Sequence, residues 1–141
     1  MTKTLQVLQW ESEFSVGVEK IDDQHKEIMD LVNNLTGRSI QSRAGWKKQF
    51  ERIIKVLADQ ALIHFQTEEE LLSKTGYAGF DDHKKEHERL KAKLTHILNE
   101  LDNIKWDVEL FTLTTSFKEW FLSHILLYDK EAKDYFIAGA V

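Results

Sequence analysis

The sequence has no cysteine and no proline. Without thiols there is no disulfide, no zinc–thiolate site, no thiolate-held iron–sulfur cluster and no covalent c-type haem. Without proline no helix is forced to break, and turns fall to Gly, Asn, Asp and Ser. Basic charge is also short, with 19 Lys and Arg against 24 Asp and Glu, a net charge of −5 with neutral histidines. No basic run offsets that balance, which argues against a nucleic-acid or anionic-membrane partner. Long apolar runs are missing as well. Stretches such as Phe121 to Tyr128 are broken by polar residues well short of the ~20 needed to span a bilayer. The opening MTKTLQVLQWESEF has neither an h-region nor a small-residue cleavage site, so a cytoplasmic protein without membrane insertion is expected.

The chain of 141 residues reads as a single all-α domain with one core. Apolar spacing sorts it into four helices, near 20–36, 44–74, 82–102 and 107–128, with a short C-terminal helical extension. In the first, Ile21, His25, Ile28, Val32 and Leu35 keep one stripe facing a partner. Asp22 and Asp23 complement its N-terminal dipole, and Gly37 is its C-cap candidate. After the Ser42–Gly45 loop the second stripe runs Phe50, Ile53, Leu57, Ala61, His64, Glu68, Leu71. A Gly- and Asp-rich loop from Thr75 to Asp82 precedes the third, His83, His87, Leu90, Leu94, Ile97 or Leu98, Leu101. The fourth reads Phe111, Thr114, Phe117, Phe121, His124, Leu127 or Tyr128. Short connections make an antiparallel up-down-up-down four-helix bundle the natural packing. Residues 1–19 are not periodic but hold Trp10 and Phe14, which predicts an arm packed over the bundle that buries both aromatics.

Five of the six histidines and one glutamate occupy stripe positions that Leu or Ile would normally fill. His64 and Glu68 are i, i+4, so they lie within ~40° of each other on one face. His83 and His87 repeat that spacing, while His25 and His124 stand singly on the outer helices. Any one of these alone is ordinary: a lone stripe histidine is usually a hydrogen-bonded core residue. Together they are not, because burying so many polar side chains is costly unless each has a strong partner. His96 points ~200° away from Leu94 and reads as a surface histidine. Depth agrees with the stripes: in an antiparallel bundle, late helix two, early helix three, early helix one and late helix four all fall at one end.

Imidazole suits iron, copper, zinc and nickel, while carboxylates favour harder ions and can bridge two metals. Five histidines with one or two carboxylates exceed the four ligands of a tetrahedral zinc. Two metals sharing carboxylates use them all. Asp129 is the candidate second carboxylate, yet it follows His124 by five residues, ~140° off its face on a regular helix. A widened i→i+5 turn, common at functional sites, is therefore expected between them. Glu69 and Glu70 lie off the stripe and read as a solvated face.

The ordered pieces are Trp10 ahead of Gly17-Val-Glu-Lys-Ile-Asp-Asp-Gln-His25, then His64-Phe-Gln-Thr-Glu68-Glu and Gly76-Tyr. They continue with His83-x-x-x-His87 and Trp120-Phe-Leu-Ser-His124-Ile-x-x-x-Asp129. With these the chain resembles the hemerythrins, most closely the single-domain bacteriohemerythrins, over essentially its whole length. The resemblance implies two non-haem iron ions, one on His83, His87 and His124 and the other on His25 and His64. Glu68, Asp129 and an oxo or hydroxo group would bridge them. It also implies that dioxygen binds at an open position of the second iron.

Phe65, Trp120, Phe121 and Ile125 surround the ligand positions and are expected to line a dry oxygen pocket as well as the core. Phe121 stands where much of the family would have leucine, which bears on pocket volume and access. No acid–base or nucleophile constellation accompanies the ligands, so no catalytic residue is assigned and the chain is read as no enzyme. Reversible dioxygen binding for storage, delivery or supply to an oxygen-using enzyme is the leading reading, with the chain a monomer. A di-iron oxidase, peroxidase or nitric-oxide-handling enzyme is the alternative, and an oxygen-sensing module a third, which usually requires fusion to a signalling domain.

Overall fold

Helical periodicity in the sequence is matched by helices joined by short turns in the described residues, 8–36, 45–103 and 108–141 of a computed structural model, with the side chains of 108–111 and 114 outside that description. Four long helices, α1 (Glu19–Thr36), α2 (Trp46–Ser73), α3 (Phe80–Asn99) and α4 (Val108–Ser123), form the bundle, and a short α5 (Lys133–Gly139) follows. Helix α1 packs against α2 and α4, α2 packs against α3, and α5 lies on α2. No strand occurs among the described residues, and no helix there is long and apolar enough to cross a membrane. The expected Gly37 cap, the loop residues before Gly45 and the stripe side chains Phe111 and Thr114 fall outside the described part.

One end of the bundle is a conventional apolar core. Val32 and Leu35 of α1, Phe50 and Ile54 of α2, Leu94 of α3 and Phe117 of α4 meet there. Ile54 and Leu72 are the buried members of α2, in place of the expected Ile53 and Leu71, which are only partly covered. The helix lies between two neighbours and buries a face wider than one stripe, so adjacent positions compete for its centre. In the segment that continues α4 the more covered residue is Tyr128, half-buried, and Leu127 is 64% exposed.

The N-terminal arm is packed over the bundle by specific polar contacts. Leu8 N–H donates to Asn33 Oδ1 at 2.7 Å, and Asn33 Nδ2 donates back to the Leu8 carbonyl at 3.0 Å. Asp22, in the first turn of α1, accepts from Ser15 Oγ at 2.6 Å and from Val16 N–H at 3.0 Å. Phe14 is buried, but Trp10 is only half-buried, contrary to expectation. Its ring stands edge-on to Phe14 at 5.7 Å and carries Lys26 Nζ 5.0 Å from its centroid, which explains why an open face is tolerated.

The arm and α5 close the other end. Val16, Ile21, Leu72, Ala132 and Phe136 form a separate apolar cluster there. Gly139 touches α2 so closely that a Cβ would collide with the Leu71 carbonyl oxygen. Gly76, at φ 71°, makes the tight turn between α2 and α3, a conformation that costs a side-chain-bearing residue.

Candidate metal centre

Between these two ends, four helices send polar side chains inward at one height. His25, His64, Glu68, His83, His87, His124 and Asp129 are all essentially fully buried. Asp129 reaches the group because residues His124–Asp129 form a π-helical turn, the distortion their spacing requires. The turn brings Asp129 Oδ2 within 3.1 Å of His124 Nε2.

All five imidazoles present Nε2 to the two carboxylates. Glu68 Oε1 lies 3.0 Å from His83, 2.9 Å from His87 and 3.4 Å from His124. Its other oxygen, Oε2, lies 2.9 Å from His64 and 3.5 Å from His25. Asp129 Oδ1 lies 3.1 Å from His83, and Oδ2 2.9 Å from His25. The ligand-type atoms therefore fall into two overlapping groups, Glu68, His83, His87, His124 and Asp129, and His25, His64, Glu68 and Asp129. Both groups contain both carboxylates.

The outer nitrogens of two rings have partners. His64 Nδ1–H donates to Gln24 Oε1 at 2.9 Å, and Gln24 Nε2 donates to Thr67 Oγ1 at 3.0 Å. Thr67 Oγ1 in turn donates to the Ile63 carbonyl at 2.9 Å. His87 Nδ1–H donates to Glu69 Oε2 at 2.7 Å. Glu69, expected on a solvated face, is thus drawn to the centre's edge, with its side chain 19% exposed, whereas Glu70 is exposed. Gln24, Thr67 and Glu69 escape the sequence reading because they lie off the stripes. Only the register between neighbouring helices reveals whom they meet.

Burial opposes charge on the imidazoles, but the carboxylates mostly prevail. Against that burial, Asp129 and Glu68 hold His25 and His83 at about 9 each, and they raise His124 to about 10. At His64 burial wins and the nearby His25 reinforces it, so its pKa is lowered. Burial would raise Glu68, yet the histidines beginning with His64 hold it well below the usual range. Asp129 is held low too, against both burial and the Glu68 charge, chiefly by His124.

The donor set fits a pair of metal ions. Glu68 Oε2, both Asp129 oxygens and His124 Nε2 are buried inside the cluster without a hydrogen-bond partner. Such groups are expensive to bury unless a cation engages them. Five nitrogens and two carboxylates, with no sulfur, suit borderline metals, iron among them.

Above the centre lies an apolar cavity of about 50 Å³. His64, Phe65, His124, Trp120 and Phe121 line it, together with aliphatic residues such as Leu94. Phe65 stacks on the His87 ring at 4.2 Å, and Phe121 stands edge-on to His25 at 5.9 Å. Of the four expected lining residues, Ile125 is the exception. It is buried in a different cluster with Phe14 and Met29, because a residue next to His124 on the helix faces about 100° away from it.

Residues 16–136 match the hemerythrin HHE cation binding domain. The chain is 32% identical over 120 residues to a bacteriohemerythrin of Methylococcus capsulatus, covering 84% of this chain and 88% of that one. It is 28% identical over 131 residues to a bacteriohemerythrin of Clostridium acetobutylicum, covering 89% and 98%. A myohemerythrin of Sipunculus nudus is 29% identical over 124 residues, covering 88% and 89%. A crystal structure of wild-type hemerythrin superposes with a TM-score of 0.80 at 29% identity, covering 93% of this chain and 98% of that chain.

Proposed function

Because this chain belongs to the hemerythrin family, we propose that it binds dioxygen reversibly at a carboxylate-bridged, non-haem di-iron centre. In this reading His83, His87 and His124 hold one iron, and His25 and His64 hold the other. Glu68 and Asp129 would be shared by the pair, together with an oxo or hydroxo group. Iron, when bound, supplies the reversible one-electron chemistry toward dioxygen that imidazole and carboxylate lack.

What supports the reading most directly is that two donor groups share both carboxylates beside an apolar cavity. The donor groups support an asymmetric assignment. One group offers three imidazoles and the other two, so the second has one donor fewer and room for an exogenous ligand. His64 of that group borders the cavity, as does His124 of the other. Phe65, Trp120 and Phe121 keep water and acids from the centre, and Phe121 limits the space available next to His25. The likeness to bacteriohemerythrin and myohemerythrin supports a carrier rather than an enzyme. We take residues 1–141 as one domain, monomeric and cytoplasmic, supplying dioxygen to storage or to an oxygen-using enzyme.

The test is spectral. Iron-loaded protein with two irons per chain should change its visible spectrum reversibly when cycled between air and inert gas, without turnover. Steady consumption of peroxide or nitric oxide in the presence of a reductant would overturn the carrier reading in favour of a di-iron enzyme.

A further inference from the structure

The two proposed metal positions differ in more than ligand count. Each has one histidine whose outer nitrogen is hydrogen-bonded, and the two acceptors differ in charge. On the three-imidazole side, His87 Nδ1–H donates to the Glu69 carboxylate at 2.7 Å. On the two-imidazole side, His64 Nδ1–H donates to the Gln24 amide oxygen at 2.9 Å. The outer nitrogens of His25, His83 and His124 have no hydrogen-bond partner among the described residues.

The Gln24 orientation is set by its neighbours. Thr67 Oγ1 gives its proton to the Ile63 carbonyl, so toward Gln24 it can only accept. Gln24 must then turn its NH₂ to Thr67 and its oxygen to His64, which requires the proton on His64 Nδ1. At His87 the same tautomer follows because a carboxylate only accepts. In both rings Nε2, the nitrogen facing Glu68, is then the one available to a metal ion. A carboxylate acceptor pulls the Nδ1 proton outward and makes the ring a stronger donor at Nε2, whereas a neutral amide orients the ring with far less electronic effect.

We propose that Glu69 and Gln24 are positioning residues that set the two metal positions apart, with Glu69 strengthening the three-imidazole site through His87 and Gln24 leaving the two-imidazole site the weaker binder. This rests on the di-metal reading above. The consequence is an ordered filling of the centre, the three-imidazole position first, and a two-imidazole position that stays electron-poor.

Stepwise titration of metal-free protein with Co(II), followed by its visible bands, tests this together with the midpoint potential of the iron-loaded protein. E69Q keeps a hydrogen-bond acceptor but removes the charge. It should weaken the tighter step about tenfold, leave the weaker step in place and raise the potential. Q24E should strengthen the weaker step by about the same factor and lower the potential. If E69Q binds like wild type while E69A is impaired, Glu69 acts mechanically and the proposal is overturned. It is equally overturned if E69Q and Q24E leave both steps within twofold of wild type. Wild-type protein that takes up fewer than two Co(II) per chain overturns the di-metal reading itself.

Discussion

Phe50, Ile54, Leu57, Leu94 and Phe117 fill one end of the bundle, while nearer the other end the same helices turn His25, His64, Glu68, His83, His87 and His124 inward. The apolar end is complete in itself, since its side chains satisfy one another by burial. The polar layer is not, because its oxygens and nitrogens lie within about 3 Å of one another with buried atoms left unpartnered. One fold thus carries a region stabilised by the chain alone and a region whose donor atoms could hold metal ions.

Substitutions should separate the two. The largest effect is expected at Glu68, which stands in both donor groups. Glu68→Ala should abolish two-metal binding, exceeding the about 10–100-fold loss typical of an outer partner. Metal analysis of the folded variant checks this, and full retention of two ions would remove Glu68 from the centre. Phe50→Ala, at a fully buried position in the apolar end, should cost about 3–5 kcal/mol in chemical denaturation while folded protein keeps its metal.

A pH series sharpens the contrast further. His25, His83 and His124 sit at about 9, 9 and 10 in the metal-free centre, above the ordinary histidine value. Groups raised on folding stabilise fully below their unfolded pKa of about 6.5, and that stabilisation is lost as pH climbs through the folded values. The melting temperature of metal-free protein should therefore fall between about pH 6.5 and 10. Metal-loaded protein, whose imidazoles are already deprotonated, should show no such decline, because loading releases those protons. Equal slopes with and without metal would contradict the assignment. The smallest effect belongs to His96, exposed on α3, where His96→Ala should leave metal content intact and stability within about 0.5 kcal/mol.

Much of this was legible before any coordinates. The inward histidines could be read because helical period fixes the face of a residue relative to its own helix, and the five-residue step to Asp129 demanded the π turn that is present. What the period does not fix is how one helix is rotated against the next. Glu69 therefore looked solvated, although α3 brings His87 against it. The choice between Ile53 and Ile54, or Leu127 and Tyr128, depends on the same inter-helix rotation. Size alone does not bury Trp10, because a nearby lysine lets it keep one face open. Proximity in sequence to His124 does not bring Ile125 to the cavity, since the neighbouring position on a helix points elsewhere.

The wide turn at His124–Asp129 can also be understood as a one-residue insertion. His64 and Glu68, like His83 and His87, meet at a four-residue step, and the fourth helix meets at five. Its surplus residue is spent outward, which accounts for Leu126 and Leu127 being 41% and 64% exposed on an otherwise covered element. Deleting Leu127 would return the segment to a regular helix and still leave the aspartate beside His124. Ala132 and Phe136 would keep their phase as well. In this helix, length is more negotiable than facing direction.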